Sequence, residues 1–145
     1  MTYQEWEAEV PEEIRRDPVW RLEAYRLALF LGELAWFDSE LLFRDGRTRS
    51  SADQLFRASS GISTNICEGY SRGTGRDRKR FYEYALGSTR ETRDWYYKGR
   101  HVVGGEVASH RIQLGSSIIG LLVAMIRTEH RRARVKPKDD PMTDE

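Results

Sequence analysis

The chain has 145 residues, 24 Lys and Arg against 23 Asp and Glu, and a single cysteine, Cys67. That length suits one domain with a core of its own, and one cysteine excludes a disulfide framework within the chain. Met1 to Val10 is acidic and lacks an apolar run, and the longest stretch of apolar and glycine residues is Ile118 to Ile126, short of a bilayer span. These features predict a soluble, cytoplasmic protein without membrane contact.

Residues 1–16 read as an acidic N-terminal arm carrying Tyr3 and Trp6 as candidate anchors. Asp17-Pro18 reads as a capping side chain followed by proline at the first helical position, which predicts a first helix from there to about Arg44. Asp45-Gly46 ends it. A second helix is expected from Ser50 or Ser51, whose hydroxyls can cap, to about Arg72. Gly73-Thr74-Gly75 breaks the chain, and Asp77 is expected to cap a third helix running to about Arg100. After Gly104-Gly105 a fourth runs from about Glu106 to Arg134. Residues 17–134 thus form the helical domain. Residues 135–145, with Pro137 and Pro141, read as a disordered charged tail.

Apolar spacing supports helices. The second shows Leu55, Ala58, Ile62, Ile66 and Gly69 at steps of three and four. The third shows Phe81, Tyr84, Ala85, Ser88, Thr92 and Trp95, and the fourth Leu114, Ile118, Leu121 and Met125. Four long helices with short connections predict an all-α fold, an antiparallel up-down-up-down four-helix bundle. The first helix is apolar beyond one stripe, at Leu27 to Leu31 and Leu34 to Phe37. The fourth has a second row, Ile112, Ile119, Leu122 and Ile126. Such excess marks either a wide core or a subunit interface, and the interface is the favoured reading. Glycines inside helices, such as Gly87, Gly115 and Gly120, cost about 1 kcal/mol each against alanine and imply close packing.

The charge is unevenly placed. Glu5, Glu7, Glu9, Glu12 and Glu13 crowd the arm, and Asp139, Asp140, Asp144 and Glu145 the tail. Without these nine, 14 acids remain against 24 bases. Twenty of those bases are Arg, whose planar fork matches phosphate. In the expected topology one pole collects Arg15, Arg16 and Arg21 with Arg72, Arg76, Arg78, Lys79 and Arg80, and with Arg127, Arg131, Arg132 and Arg134. Tyr70, Phe81 and Tyr82 lie beside them in sequence. Cations favour helix C-termini in any protein, but that does not explain Arg76 to Arg80 at a helix start. The reading is nucleic-acid binding through phosphates, RNA or DNA, with little sequence preference.

The stretch Ile62-Ser63-Thr64-Asn65-Ile66-Cys67-Glu68-Gly69 resembles the signature Ile-Pro-Ala-Asn-Ile-Ala-Glu-Gly of the four-helix-bundle family named for proteins encoded in 23S rRNA intervening sequences. Asn65, Ile66, Glu68 and Gly69 match it, whereas Ser63 and Cys67 replace its proline and an alanine. Phe81, Ala85-Leu86-Gly87-Ser88 and Glu91 resemble its second block. The family includes the accessory variability protein of diversity-generating retroelements. The resemblance therefore implies a ring-like homo-oligomer, a pentamer, that binds nucleic acid and partners a reverse transcriptase. Within the motif, Asn65 and Glu68 are expected to join an internal polar network fixing helix register, with Glu68 able to pair with Arg72. Gly69 is expected at a close helix crossing, next to Tyr70.

No catalytic site, cofactor or metal is expected. No His stands three residues after a Glu, as di-iron bundles require. No Arg precedes a His at the four-to-six-residue spacing of HEPN ribonuclease bundles. The Gly73-Thr74-Gly75 turn lacks the Lys and Ser/Thr of a phosphate-binding P-loop. Cys67, among apolar neighbours, reads as packing. The leading reading is a non-catalytic oligomeric accessory protein. The alternative is a protein-interaction module without nucleic-acid binding, whose acidic arm and Trp6 engage a partner.

Overall fold

The computed structural model describes residues 1–134, and the predicted tail at 135–145 lies outside them. The chain is all-helical: α1 (Tyr3–Glu9), α2 (Glu12–Arg15), a 3-10 turn (Pro18–Arg21), α3 (Glu23–Arg44), α4 (Arg49–Tyr70), α5 (Gly75–Lys98), α6 (Arg100–Val103) and α7 (Gly105–Arg134). The four long helices pack in circuit. α4 lies against α3 and α5, and α5 against α7. α7 closes onto α3 along a much sparser seam.

The arm is folded onto the domain. Thr2 and Glu5 form a reciprocal cap, the Glu5 amide donating to Thr2 Oγ1 at 3.2 Å and the Thr2 amide to Glu5 Oε2 at 2.9 Å. The α1 helix this starts seats Trp6, only 7% exposed, in a cluster with Val10, Phe30 and Leu34. Trp6 stacks near Trp20, and Tyr3 meets Phe30 edge-on. Trp6 is therefore committed to its own chain, against the expectation that it engages a partner.

Asp17 does cap, its Oδ1 accepting from the Val19 amide at 2.9 Å, but the capped segment is a single 3-10 turn. At Leu22 the chain is extended (ψ 112°), and α3 begins only at Glu23. The break turns Val19 into the main core and lets Trp20 pack against both clusters.

The second predicted stripe is buried throughout: Leu55, Ala58, Ile62, Ile66 and Gly69. Thr48, not a serine, precedes α4. Its hydroxyl donates to the Leu42 carbonyl at 2.7 Å and does not cap the helix. The third stripe is shifted. The buried row of α5 is Tyr82, Ala85, Thr89, Thr92 and Tyr96, while Tyr84 is exposed. Aromatic residues occupy both faces of α5, so apolarity alone misplaces the register. Thr74, not Asp77, caps α5, its Oγ1 accepting from the Asp77 amide at 3.2 Å. Gly99 ends α5 against Leu42, whose Cδ2 would lie 2.8 Å from an added Cβ. Gly104 takes φ 97°, a left-handed turn that glycine adopts without strain, before α7.

Much of the apolar excess is consumed internally. On α3, Ala28, Phe30, Leu31, Leu34 and Ala35 are buried, two of them under the arm. On α7, Leu122 is fully buried, and Ile112 and Ile126 pack on the core. On α3 the apolar side chains left outward are Trp36 at 61% exposure, Phe37, Leu41 and Phe43 at 58%. By length and composition alone α7 is apolar enough to cross a membrane. Its Ala108, Gly115, Ile118 and Leu122 are instead buried within the domain.

A largely buried polar triad links three of the helices. Tyr96 Oη donates to Asp38 Oδ2 at 2.7 Å, and Arg111 Nε donates to the same oxygen at 2.8 Å. This ties α3, α5 and α7 at one level. Burial first, and then the Asp38 charge, holds the Tyr96 phenol far above its ordinary pKa.

Candidate nucleic-acid interface

The start of α5 and the end of α7 are held together by a second polar cluster, which brings most of the predicted basic residues to one pole. Gly75 lets the two helices touch: an added Cβ would lie 2.9 Å from the Glu129 backbone oxygen. Gly75 thus serves helix packing within α5 rather than an open phosphate-binding turn, whereas Gly73 has open space beside it. Glu129 is buried and accepts from Arg78 Nε at 2.9 Å and from Arg132 Nη1 at 2.8 Å. Arg78 also donates to the Arg72 carbonyl at 3.0 Å. Lys79 Nζ lies 3.3 Å from His130 Nδ1, a second crossing between the same helices.

The predicted cations divide by how far their charge is committed. Arg78 is largely buried and neutralised by Glu129. Arg72 pairs with Glu68 at 3.1 Å, Lys79 with Glu83 at 3.7 Å, and Arg80 loosely with Asp77 at 3.9 Å. Arg132 shares Glu129 but is mostly exposed. Arg76, Arg127, Arg131 and Arg134 are exposed and have no acidic partner within 4.0 Å among the described residues. Arg76, Lys79 and Arg80 share one face of α5 at helical spacing, as Arg127, His130 and Arg134 do on α7. The Lys79–His130 contact puts those two faces side by side. Phe81 adds an aromatic element, with the Arg72 and Arg80 guanidiniums 4.7 and 5.2 Å from its ring centroid.

At the same pole, on the side of α7 turned towards α3, a cleft of about 730 Å³ opens between these two helices. Arg21 and Arg132 supply positive charge, Leu121 and Met125 supply apolar wall, and the polar lining includes Tyr70, Tyr82, Thr128 and the carboxylates of Glu23 and Glu129. Burial, then the Glu129 charge, pushes the Tyr82 phenol up to about 12.

The motif residues are positioned differently from the register network expected of them. Asn65 is half-buried, but its Nδ2 donates to the Gly61 carbonyl of its own helix at 2.8 Å, so it joins no second helix. Glu68 is exposed and pairs with Arg72 one turn on. Gly69 lies at a tight crossing, where a Cβ would be 2.8 Å from Tyr82 Cε1. Tyr70 is 38% exposed. Gly87 and Gly120 have nothing within 4 Å of an added Cβ, so neither has the close-packing role inferred from composition. Gly115 does, against the Arg93 side chain. Cys67 is half-buried, and burial raises its thiol pKa, which disfavours the nucleophilic thiolate. No group of three His, Cys, Asp or Glu able to hold a metal occurs among the described residues.

Glu129 and Asp38 organise the polar clusters, yet neither stands out in the sequence. A lone acid inside the Arg-rich run Arg127 to Arg134 is the available signal for Glu129. No curated protein matches the chain. The family model of the 23S rRNA-intervening sequence protein matches residues 22–103, from the cap of α3 through α6 and more than half of the chain. On that match the chain belongs to the 23S rRNA-intervening sequence protein family.

Proposed function

We propose that the protein is a non-catalytic, homo-oligomeric accessory factor that binds nucleic acid through the pole formed by α5 and α7. The observation that carries this reading is the set Arg76, Arg127, Arg131 and Arg134. These exposed guanidiniums lack acidic partners among the described residues and sit on helix ends locked together by Glu129. Unneutralised arginine on adjoining faces suits a phosphate backbone, which is read by charge and spacing rather than by base edges. The family's description makes RNA the first polymer to test. A reverse transcriptase is the partner enzyme that the resemblance suggests.

The long helices are best read as an antiparallel up-down-up-down four-helix bundle. Supporting this, Arg78 early in α5 meets Glu129 late in α7, whereas Tyr96 late in α5 shares Asp38 with Arg111 early in α7. The outward aromatic face of α3 supports self-association, with a pentameric ring as the form implied by resemblance. Trp36 meets Phe56 of α4 edge-on at 5.6 Å, and with Phe43 they border a shallow apolar groove. Replacing Trp36 and Phe43 with Glu is expected to reduce the native mass from a multiple of the 16.9 kDa chain to a single copy, with helix content unchanged. An unaltered oligomer would move the interface elsewhere.

The deciding experiment is binding of nuclease-treated protein to labelled RNA and DNA over a salt series. Affinity that falls steeply and log-linearly with salt is expected, the slope counting the phosphates engaged. Absence of binding at low salt would reject the nucleic-acid reading in favour of a protein-interaction module.

A further inference from the structure

We infer that the cleft between α3 and α7 receives one unpaired nucleobase, so that the protein favours single-stranded over duplex nucleic acid. This rests on the proposed nucleic-acid function and specifies its substrate. Phosphate binding by exposed arginines needs only a surface. The same pole nevertheless contains a cleft of about 730 Å³, within the range of sites that enclose small molecules.

Its chemistry is that of a base site. Tyr70, at the end of α4, is 38% exposed and offers an aromatic face, and Leu121 and Met125 give apolar wall. A base stacks on such a ring whatever its identity. Of the polar lining residues, which also include Glu23, Arg78 and Thr128, Tyr82 and Glu129 are buried. Tyr82 is only 3% exposed and lines the cleft, and its hydroxyl makes no hydrogen bond among the described residues. Glu129 spends one acceptor site of each carboxylate oxygen on Arg78 and Arg132, and a carboxylate has about four such sites. The remainder can accept from the amino or imino edge of a base. The Tyr82 hydroxyl can donate to a ring nitrogen or carbonyl. Arg21 and Arg132, also lining the cleft, can hold the flanking phosphates.

A paired base cannot present its edge and its face to such a site without leaving the helix, which costs a few kcal/mol of unstacking. A single strand has no pairing to break. The position of Tyr82 is itself built in. Its ring occupies the space that a side chain at residue 69 would fill, so Gly69 keeps the phenol where it can line the cleft.

The test compares binding of a single-stranded RNA containing a fluorescent purine analogue with binding of the same strand annealed to its complement. Two variants are used, Ala124→Trp, which fills the cleft from its exposed rim on α7, and Tyr70→Ala. Each is expected to weaken single-strand binding on the order of tenfold and to abolish the fluorescence change, with duplex binding unmoved. Tyr70→Phe should retain the stacking. If both cleft variants bind the single strand as the parent does, while loss of the exposed arginines still weakens binding, the cleft inference falls and the basic pole stands. If the parent binds neither form, both fall.

Discussion

Joint replacement of Arg76, Arg127, Arg131 and Arg134 with Ala is expected to weaken RNA binding on the order of a hundredfold or more. That figure assigns about 0.7 kcal/mol to each solvent-exposed arginine–phosphate interaction removed. The salt dependence should flatten with it, by about 0.7 in log–log slope per phosphate neutralised on a single strand. Arg78 is deliberately retained. It is one of two cations that neutralise the buried Glu129, so its loss would leave an undercompensated charge between α5 and α7. A variant including Arg78 would confuse unfolding of the pole with loss of phosphate binding. The quartet makes no ion pair among the described residues, so helix content, thermal midpoint and oligomer mass should persist. Salt titration with mass measured in parallel checks this. Unchanged affinity and slope in the folded variant would reject the pole as the binding surface.

How far the sequence reveals the packing depends on whether the pattern is apolar or polar. The row Leu55 to Gly69 is legible because small and aliphatic residues recur at helical steps with polar residues between. The α5 row is misregistered by one position because Phe81, Tyr82, Tyr84, Trp95 and Tyr96 put aromatics on opposite faces. Only the distant Asp38 draws Tyr96 inward, and no local pattern reports a partner 58 residues away. The arm reads as an acidic segment with Tyr3 and Trp6 as candidate anchors, but its local pattern does not say what they anchor to, although Thr2 and Glu5 spell a capping box and Trp6 covers Phe30. For the candidate site, topology predicts that the ends of α5 and α7 meet. It does not distinguish the half-buried, Glu129-paired Arg78 from the exposed Arg76, two residues apart. That distinction depends on helix rotation, and it decides which arginines remain available for phosphate.

Asp38→Ala is expected to destabilise the fold by about 3–5 kcal/mol, the range for breaking a buried ion pair by removing one partner. Asp38 is buried and accepts from both Tyr96 and Arg111, so its loss strands a phenol and a guanidinium. Neither has another carboxylate within hydrogen-bond reach among the described residues. The other polar neighbour of Arg111 is the His110 ring, a poor substitute for a carboxylate, and His110 is pushed towards its neutral form by burial and by Arg111. Asp38→Asn keeps an acceptor for Tyr96 but removes the counter-charge, so a smaller loss is expected. Replacing all three together, Asp38→Leu, Tyr96→Phe and Arg111→Leu, removes every stranded group. That triple variant should recover most of the stability lost by Asp38→Ala, because apolar packing of similar volume can substitute for a buried ion pair. Chemical denaturation of the three variants at equal protein concentration separates the terms. If the triad only filled space, Asp38→Ala would cost about 1 kcal/mol and the triple variant would be no better. If it fixes the level of α3, α5 and α7, the single variant is the worst of the three. The triple variant then folds with looser packing across the helices, seen as loss of dispersion in side-chain spectra rather than loss of stability.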